Sequence, residues 1–550
     1  MSKITNGDRR GRKYNARRRS KAPAAQVEVT EGMDATDIKR KASSSAKYVD
    51  RKESSLGVVC NHPTAGNDPS WYAELPELVR DSASIAFAQP LGNKFTIATA
   101  DALTDASTYV LPGVLQIRYI PTPGINTGRN SPLNVAMVDI YSWVRHMNSG
   151  HVNYDPVDLM MYLLAMDSVY SYWAFVRRIY GLGMMYAQRN RYWPEAILRM
   201  MGQDPVVISK NLANLRMFLN AFAYKMSCFN TPAILSYYKR HVWLNSGVWS
   251  DGPSEKSQVY FYQPEGFYKY VESSSTGGSL TLQMYGDTVS HSGLEYLFDL
   301  GNSLMYSLLK SEDAGIMSGD ILKAYREVSP MVVFDSVDED EVVLPTYDEE
   351  TLTQIENTMC YGSLTNTDIT QSDGLLIFNP VRTNFNFGHN LTNLLNVHNE
   401  EMKSPEYVLV ATRNMPVVNR AITASSHALT FKWCGSEICT KYSIGQYNPS
   451  FELEIQNFSS FLDVDMEISP FTMWKLNDMM SAFSRHPKLV MMKKNASTNL
   501  YKYESIMWEW DDYTLISDVT LGNMHECALM SQFGVNAISV RGINRTDISS

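Results

Sequence analysis

"SPLNVAMVDIYSWVRHMNSGHVNYDPVDLMMYLLAMDSVYSYWAFVRRIYGL", residues 131 to 182, is the stretch on which the fold turns. Ser131-Pro132 and Asp155-Pro156 each place a capping side chain directly before a proline, whose fixed φ and missing N–H suit the first helical position. Asp204-Pro205 repeats the signal downstream. The spacing predicts three helices between residues 131 and 229. The second, from Asp155 to Tyr180 with Gly181 as its stop, gathers Leu159, Leu163, Met166, Tyr170, Trp173 and Ile179 on one broad apolar face, and its other side is apolar in places too. Such a helix is either the core helix of a large domain or one covered by a second subunit. Its methionines and aromatics imply packing and no cofactor.

Beyond about residue 250 the pattern changes to Tyr- and Phe-rich alternation, as in "QVYFYQPEGFYKYV" and "SLTLQMY", which reads as strands. One more helix follows Ser292, "SGLEYLFDLGNSLMYSLLK". From Glu327 to Val381 there are 12 acidic residues and no Lys or Arg, an acidic loop or exposed rim. Between 374 and 465, "YVLVATR", "HALTFKWC" and "SFELEIQ" look β-like, and helical signals resume at Ser469-Pro470 and from Thr520 to Phe533, with Gly534 as a stop. The expected class is α+β: a predominantly helical base from 54–255, a β-rich region over 256–465, and a C-terminal segment, 466–550, that returns to the base.

Charge separates the N-terminus from everything else. Residues 1 to 53 hold 15 Lys and Arg against 7 Asp and Glu, so a chain of net charge −9 is a +8 arm on a −17 body. Arg9, Arg10, Arg12, Lys13, Arg17, Arg18, Arg19 and Lys21 fall close enough together to neutralise several phosphates without reading any base. Arginine suits bidentate phosphate contact. The arm has too few large apolar residues to fold alone, so disorder is expected, with a short docked helix over 36–53 as one option. A nuclear localisation signal is the competing reading of the cluster. Charged residues make up only 19% of the chain, which also holds 32 Tyr, 10 Trp and 29 Met, a composition that fits surfaces buried between subunits or, in part, a large protein that needs fewer charges.

Six cysteines, at 60, 228, 360, 434, 439 and 527, lack the spacing of a zinc knuckle or redox motif and suggest a reduced, intracellular chain. No signal peptide or membrane anchor is expected, because the N-terminus is basic and no apolar run approaches the ~20 residues of a bilayer span. The motifs of hydrolases, metalloproteases, P-loops and complete dinucleotide sites are missing, so no enzyme, cofactor or metal is expected. His427, Cys434 and Cys439 offer no evident fourth ligand. His525, Glu526 and Cys527 are adjacent on a helix and point to different faces.

The block Asn67 to Phe87, "NDPSWYAELPELVRDSASIAF", then "PGVLQIRYIPTPG" from Pro112, the run from Ser131, "NRYWPEAILRMMG" and Asn211-Leu-Ala-Asn214 together resemble picobirnavirus capsid proteins over roughly residues 67 to 220. The resemblance implies a mostly helical shell domain and a protruding domain, paired into homodimers that tile an icosahedral shell around a double-stranded RNA genome. It also implies a separately packaged polymerase, residence in the virion, assembly in the host cytoplasm, and an arm that faces the viral RNA. The rivals are a cellular RNA-binding or nuclear protein with a basic tail, and a hydrolase with an unmarked site.

Overall fold

The computed structural model describes residues 113–185, 192–253, 257–273, 277–383, 393–397, 404–419, 428–447, 453–457, 483–494, 501–507 and 513–535, with 75, 77–78, 94–97, 107–110 and 480. The basic arm, the 36–53 helix, His427 and the Ser469-Pro470 start lie outside these residues, as does nearly all of Asn67 to Phe87. Everything below belongs to one compact unit, Ala86–Ser550.

All three proline-marked starts are helix starts. Helices α1 (Pro132–Met147) and α2 (Pro156–Gly183) follow Ser131 and Asp155, both in extended backbone, and Asp158 accepts the Asp155 N–H at the head of α2. Helix α3 (Tyr192–Met200) leads to α4 (Pro205–Lys210), where the Asp204 carboxylate accepts the Val206 N–H at 2.9 Å. Helices α5 (Leu212–Met226) and α6 (Ser236–Ser246) complete the first helical block. A second group contains α7 (Leu294–Lys310), α8 (Glu312–Tyr325), α9 (Glu349–Asn357), α10 (Pro405–Ala411) and α11 (Asp518–Gln532).

Helix α2 is buried from Val157 to Leu182 except at Asp158 and Arg177. It has the length and apolarity of a membrane span, but its covering comes from this chain: α6, α5, α1, α3, α7 and a β-hairpin surround it. Of the two readings open for an all-round apolar helix, the structure takes the core helix. It also runs past the expected stop. A Cβ on Gly181 would sit 2.6 Å from Val343 Cγ2, so that glycine admits a neighbouring chain and does not end the helix.

The strands that position the core are β1 (Val114–Pro121), β2 (Trp249–Ser250), β3 (Val259–Pro264), β4 (Gly266–Val271), β5 (Ser279–Met284), β6 (Val417–Asn419), β7 (Leu429–Trp433), β8 (Glu437–Tyr447) and β9 (Leu453–Asn457). Five form one sheet in the order β9-β8-β1-β3-β2. At its centre β1 pairs parallel with β3, Ile117 beside Tyr262, and antiparallel with β8, Ile117 beside Tyr442. Every residue of β1 and β3 is buried, as a strand covered on both faces requires. The sheet takes β1 and β2 from before residue 255 and β3, β8 and β9 from after it. The division drawn there by composition is therefore not a division of this sheet.

Two local expectations are corrected. "YVLVATR" is helical, as α10, because Ser404-Pro405 supplies the same start signal as the other helices and Ser404 Oγ accepts the Tyr407 N–H. The acidic stretch is not one loop. Asp335, Asp338, Glu339 and Asp340 are exposed on an extended strap, but the chain then enters α9, where Thr351 to Asn357 are buried and Glu356 meets Arg485 and Asn396. The strap is held at Arg177–Glu341 and Arg216–Glu339, and by Tyr180 Oη donating to the Asp338 and Glu339 carbonyls.

Helix α7 crosses α2 at Gly301, where a Cβ would lie 2.4 Å from the Tyr172 ring. Alanine would add about 1 kcal/mol of helix propensity, but overpacking costs about 1–3 kcal/mol. Gly301→Ala is expected to lower stability by about 1 kcal/mol and Gly301→Val by more, read as a falling denaturation midpoint. A midpoint raised by alanine would show that the helices do not meet this closely.

Candidate functional site

Charged side chains converge where α2, α6, α10 and α11 meet the first residues of β8. Asp167 sits in the middle of the apolar α2, and the start of α6 at Ser236 brings Arg240 and His241 toward it. His241 Nδ1 is 2.6 Å from Asp167 Oδ2, and its Nε2 is 3.0 Å from the Ser436 carbonyl. Both ring nitrogens therefore face oxygens, and with Asp167 ionised the ring donates from both as the imidazolium, although burial also raises the Asp167 carboxyl. Burial opposes that charge, but the Asp167 carboxylate, and then Glu437, outweigh it and hold His241 above the usual histidine range. Next to it Arg240 Nε donates to Glu437 Oε1 at 3.0 Å, a second guanidinium nitrogen reaches the same oxygen, and Ser436 Oγ donates to the other carboxylate oxygen. Burial alone would raise Glu437; Arg240 and His241 hold it below the usual range.

A second histidine flanks the same corner in the opposite charge state. His525 on α11 takes the Arg413 Nη2 donor on Nδ1 at 3.0 Å and donates from Nε2 to the Met415 carbonyl at 2.8 Å. Its Nδ1 must be a lone pair, so the ring is neutral. Burial, then the Arg413 charge, push it down to about 3. Arg413 also donates to the Leu409 carbonyl at 2.9 Å, which ties it to α10.

Two further buried cations stand outside any catalytic arrangement, and among the described residues Arg118 Nε and Arg178 Nε and Nη2 are buried without a hydrogen-bond partner. Arg118 on β1 meets Glu265 at 2.6 Å, and Thr440 Oγ1 donates to the same carboxylate. Arg178 has no acid beside it among the described residues. It donates to the Leu244 and Gly247 carbonyls at the end of α6, where the helix dipole is negative, and lies over the Phe175 and Phe261 rings. The chemistry of the whole cluster is cohesive. His241 pairs with a carboxylate as a general base would, but a main-chain carbonyl occupies its other nitrogen and the ring is sealed from solvent.

None of the eight arm residues from Arg9 to Lys21 lies among the described residues, so the structure brings none of them to a site. Cys434 and Cys439 are buried, the Cys434 thiol being pushed up to about 12 by burial, and no metal-holding group of His, Cys, Asp or Glu occurs among the described residues. His525, Glu526 and Cys527 face three surroundings: the Arg413 cluster, the Trp433 indole N–H and solvent. Sequence reasoning passed over the buried cluster. Its one legible sign was Asp167, an isolated carboxylate inside "MMYLLAMDSVYSYW". The partners lie on other elements, too far away for spacing to reveal.

The two histidines give opposite pH signs. His525, depressed in the fold, stays neutral while an unfolded histidine protonates near pH 6.5, so its stabilisation is present above that pH and lost as pH falls toward 3. The loss reaches about 3 kcal/mol by pH 4. His241, raised in the fold, stabilises below pH 6.5 and loses that contribution as pH rises through its folded value. His525→Gln, which keeps an acceptor and a donor but cannot titrate, is expected to flatten the fall in stability between pH 6.5 and 4, measured by denaturant titration. Parallel pH curves for variant and parent would contradict the assignment.

Similarity to known proteins agrees in sequence and in fold. A profile of the family described as picobirnavirus capsid protein matches residues 71–380. The chain is 31% identical over 510 residues to the capsid protein precursor of a human picobirnavirus, strain Human/Thailand/Hy005102/-, across 85% of this chain and 91% of that protein. Its fold is similar to the X-ray crystallographic structure of the picobirnavirus capsid, with a TM-score of 0.70 and 22% identity over 86% of this chain and 98% of that one.

Proposed function

The chain belongs to the picobirnavirus capsid protein family, and from that premise we propose that it assembles through dimers into a closed icosahedral shell around double-stranded RNA, which its N-terminal arm contacts. A capsid protein assembles with itself and resides in the virion. The charge partition carries the finer reading: +8 in residues 1–53 against −17 in the rest. A body so acidic repels RNA, so the attraction must come from the arm. Arg9, Arg10, Arg12, Lys13, Arg17, Arg18, Arg19 and Lys21 are the proposed phosphate contacts. On the same electrostatic ground the acidic strap of residues 335–341 belongs to an outward, protruding part of 256–465, and the shell to 54–255 with 466–550 together with β3, β8 and β9, which share their sheet with β1. A separately encoded polymerase inside the shell and assembly in the host cytoplasm complete the proposal.

Removing residues 1–53 is expected to abolish bulk RNA packaging and leave the fold intact, because the subunit changes from −9 to −17. If about six arm charges each neutralise one phosphate, affinity for duplex RNA falls with salt at a log–log slope of roughly −5, and reversing Arg17, Arg18 and Arg19 flattens that slope. The readout is the 260 to 280 nm absorbance ratio of assembled particles, with nuclease protection. Truncated particles that protect as much RNA as full-length ones would move the RNA site to the body.

A further inference from the structure

One helical face is turned outward and left open among the described residues. Helix α7 buries Leu297, Leu300, Leu304, Met305 and Leu308, and turns Glu295, Asp299, Asn302, Tyr306, Leu309 and Lys310 outward. Tyr306 is 64% exposed and Leu309 49%. Among the described residues, the side chains of Asp299, Tyr306 and Lys310 have no hydrogen-bond or ion-pair partner. On the same face is a hollow of about 360 Å³ lined by Lys225, Asp299, Asn302, Ser303, Tyr306 and Leu309 among others, with room for an aromatic side chain. A projecting tyrosine and a hollow beside it, on a face acidic toward its N-terminal end and basic at its C-terminal end, are what an isologous contact needs.

We propose that α7 packs antiparallel against α7 of a second copy across a two-fold axis passing between Leu304 and Met305, with Tyr306 of each copy seated in the other's hollow. That axis sets Asp299 of one copy opposite Lys310 of the other, Asn302 opposite Ser307, and Tyr306 opposite Ser303, a small residue that leaves the ring space. A parallel arrangement would set Asp299 against Asp299. Nucleic acid is a poor occupant, because Glu295 and Asp299 would face its phosphates. The 17 residues of α7 span about 25 Å, too little for the roughly 800 Å² per partner of a standard interface. The exposed Met217 and Tyr224 of the neighbouring α5 extend the contact.

The inference rests on the assembly reading and names one of its surfaces. With exposed Cys228 and Cys527 changed to serine, Asp299→Cys with Lys310→Cys is expected to yield covalent dimers in oxidised particles, whereas Glu295→Cys with Lys310→Cys is not. Asp299→Lys and Tyr306→Arg should each cut particle yield at least tenfold at fixed protein concentration, and Asp299→Lys with Lys310→Asp should recover most of it. Particles that form normally with Asp299→Lys, or that give no 299–310 crosslink, would overturn the α7 contact and leave the assembly reading standing. Unmutated protein that forms no particle at any salt or pH would overturn both.

Discussion

The fold depends on covering one helix on every side. Helix α2 is apolar almost all round, so it is stable in water only if other elements enclose it, and its neighbours are arranged to do so: α6, α5, α1, α3, α7 and the β4–β5 hairpin. Enclosure creates the second requirement. Asp167 and Arg178 stand inside that helix, and a buried charge left without compensation costs several kcal/mol. His241 answers the first and the C-terminal carbonyls of α6 answer the second, so α6 supplies both. The helix that seals α2 thus also supplies hydrogen-bond partners to both of its buried charges.

From α6 the charge network reaches segments distant in sequence. Arg240 and His241 hold Ser436 and Glu437 at the head of β8, and Arg413 with His525 holds α10 to α11 on the other side of that corner. Breaking one partner of such a buried pair costs about 3–5 kcal/mol, because the other charge is left unpaired. The cluster thus works as a joint between the helical block, the central sheet and the C-terminal helix. Cohesion of this kind suits a subunit that must survive as part of a shell. The attraction for RNA is proposed to lie elsewhere, in the arm.

Most of the helical block was legible because its signals are local. Ser131-Pro132, Asp155-Pro156 and Asp204-Pro205 each act within one turn, and Gly534 follows the end of α11. Strands β3, β4, β5, β7 and β9 were legible from alternation between turn residues. What failed was reading position from composition. The short run around Val408 to Ala411 is apolar enough for a strand, and only Ser404-Pro405 shows that it is a helix. The acidic count from Glu327 to Val381 could not show that Glu356 turns inward to Arg485, because that pairing is tertiary. The sheet likewise joins Ile117 to Tyr262 and Tyr442, a contact that no local pattern encodes.

Hydrogen exchange, compared between the free subunit and the assembled particle, tests most directly the claim that this chain alone encloses α2. If it does, the amides of Leu159 to Ile179 exchange only by global unfolding and are equally slow in both states, and assembly adds protection mainly on outward faces. Amides of α2 that exchange quickly in the free subunit and slow only on assembly would contradict the account. The helix would then be completed by a neighbouring subunit.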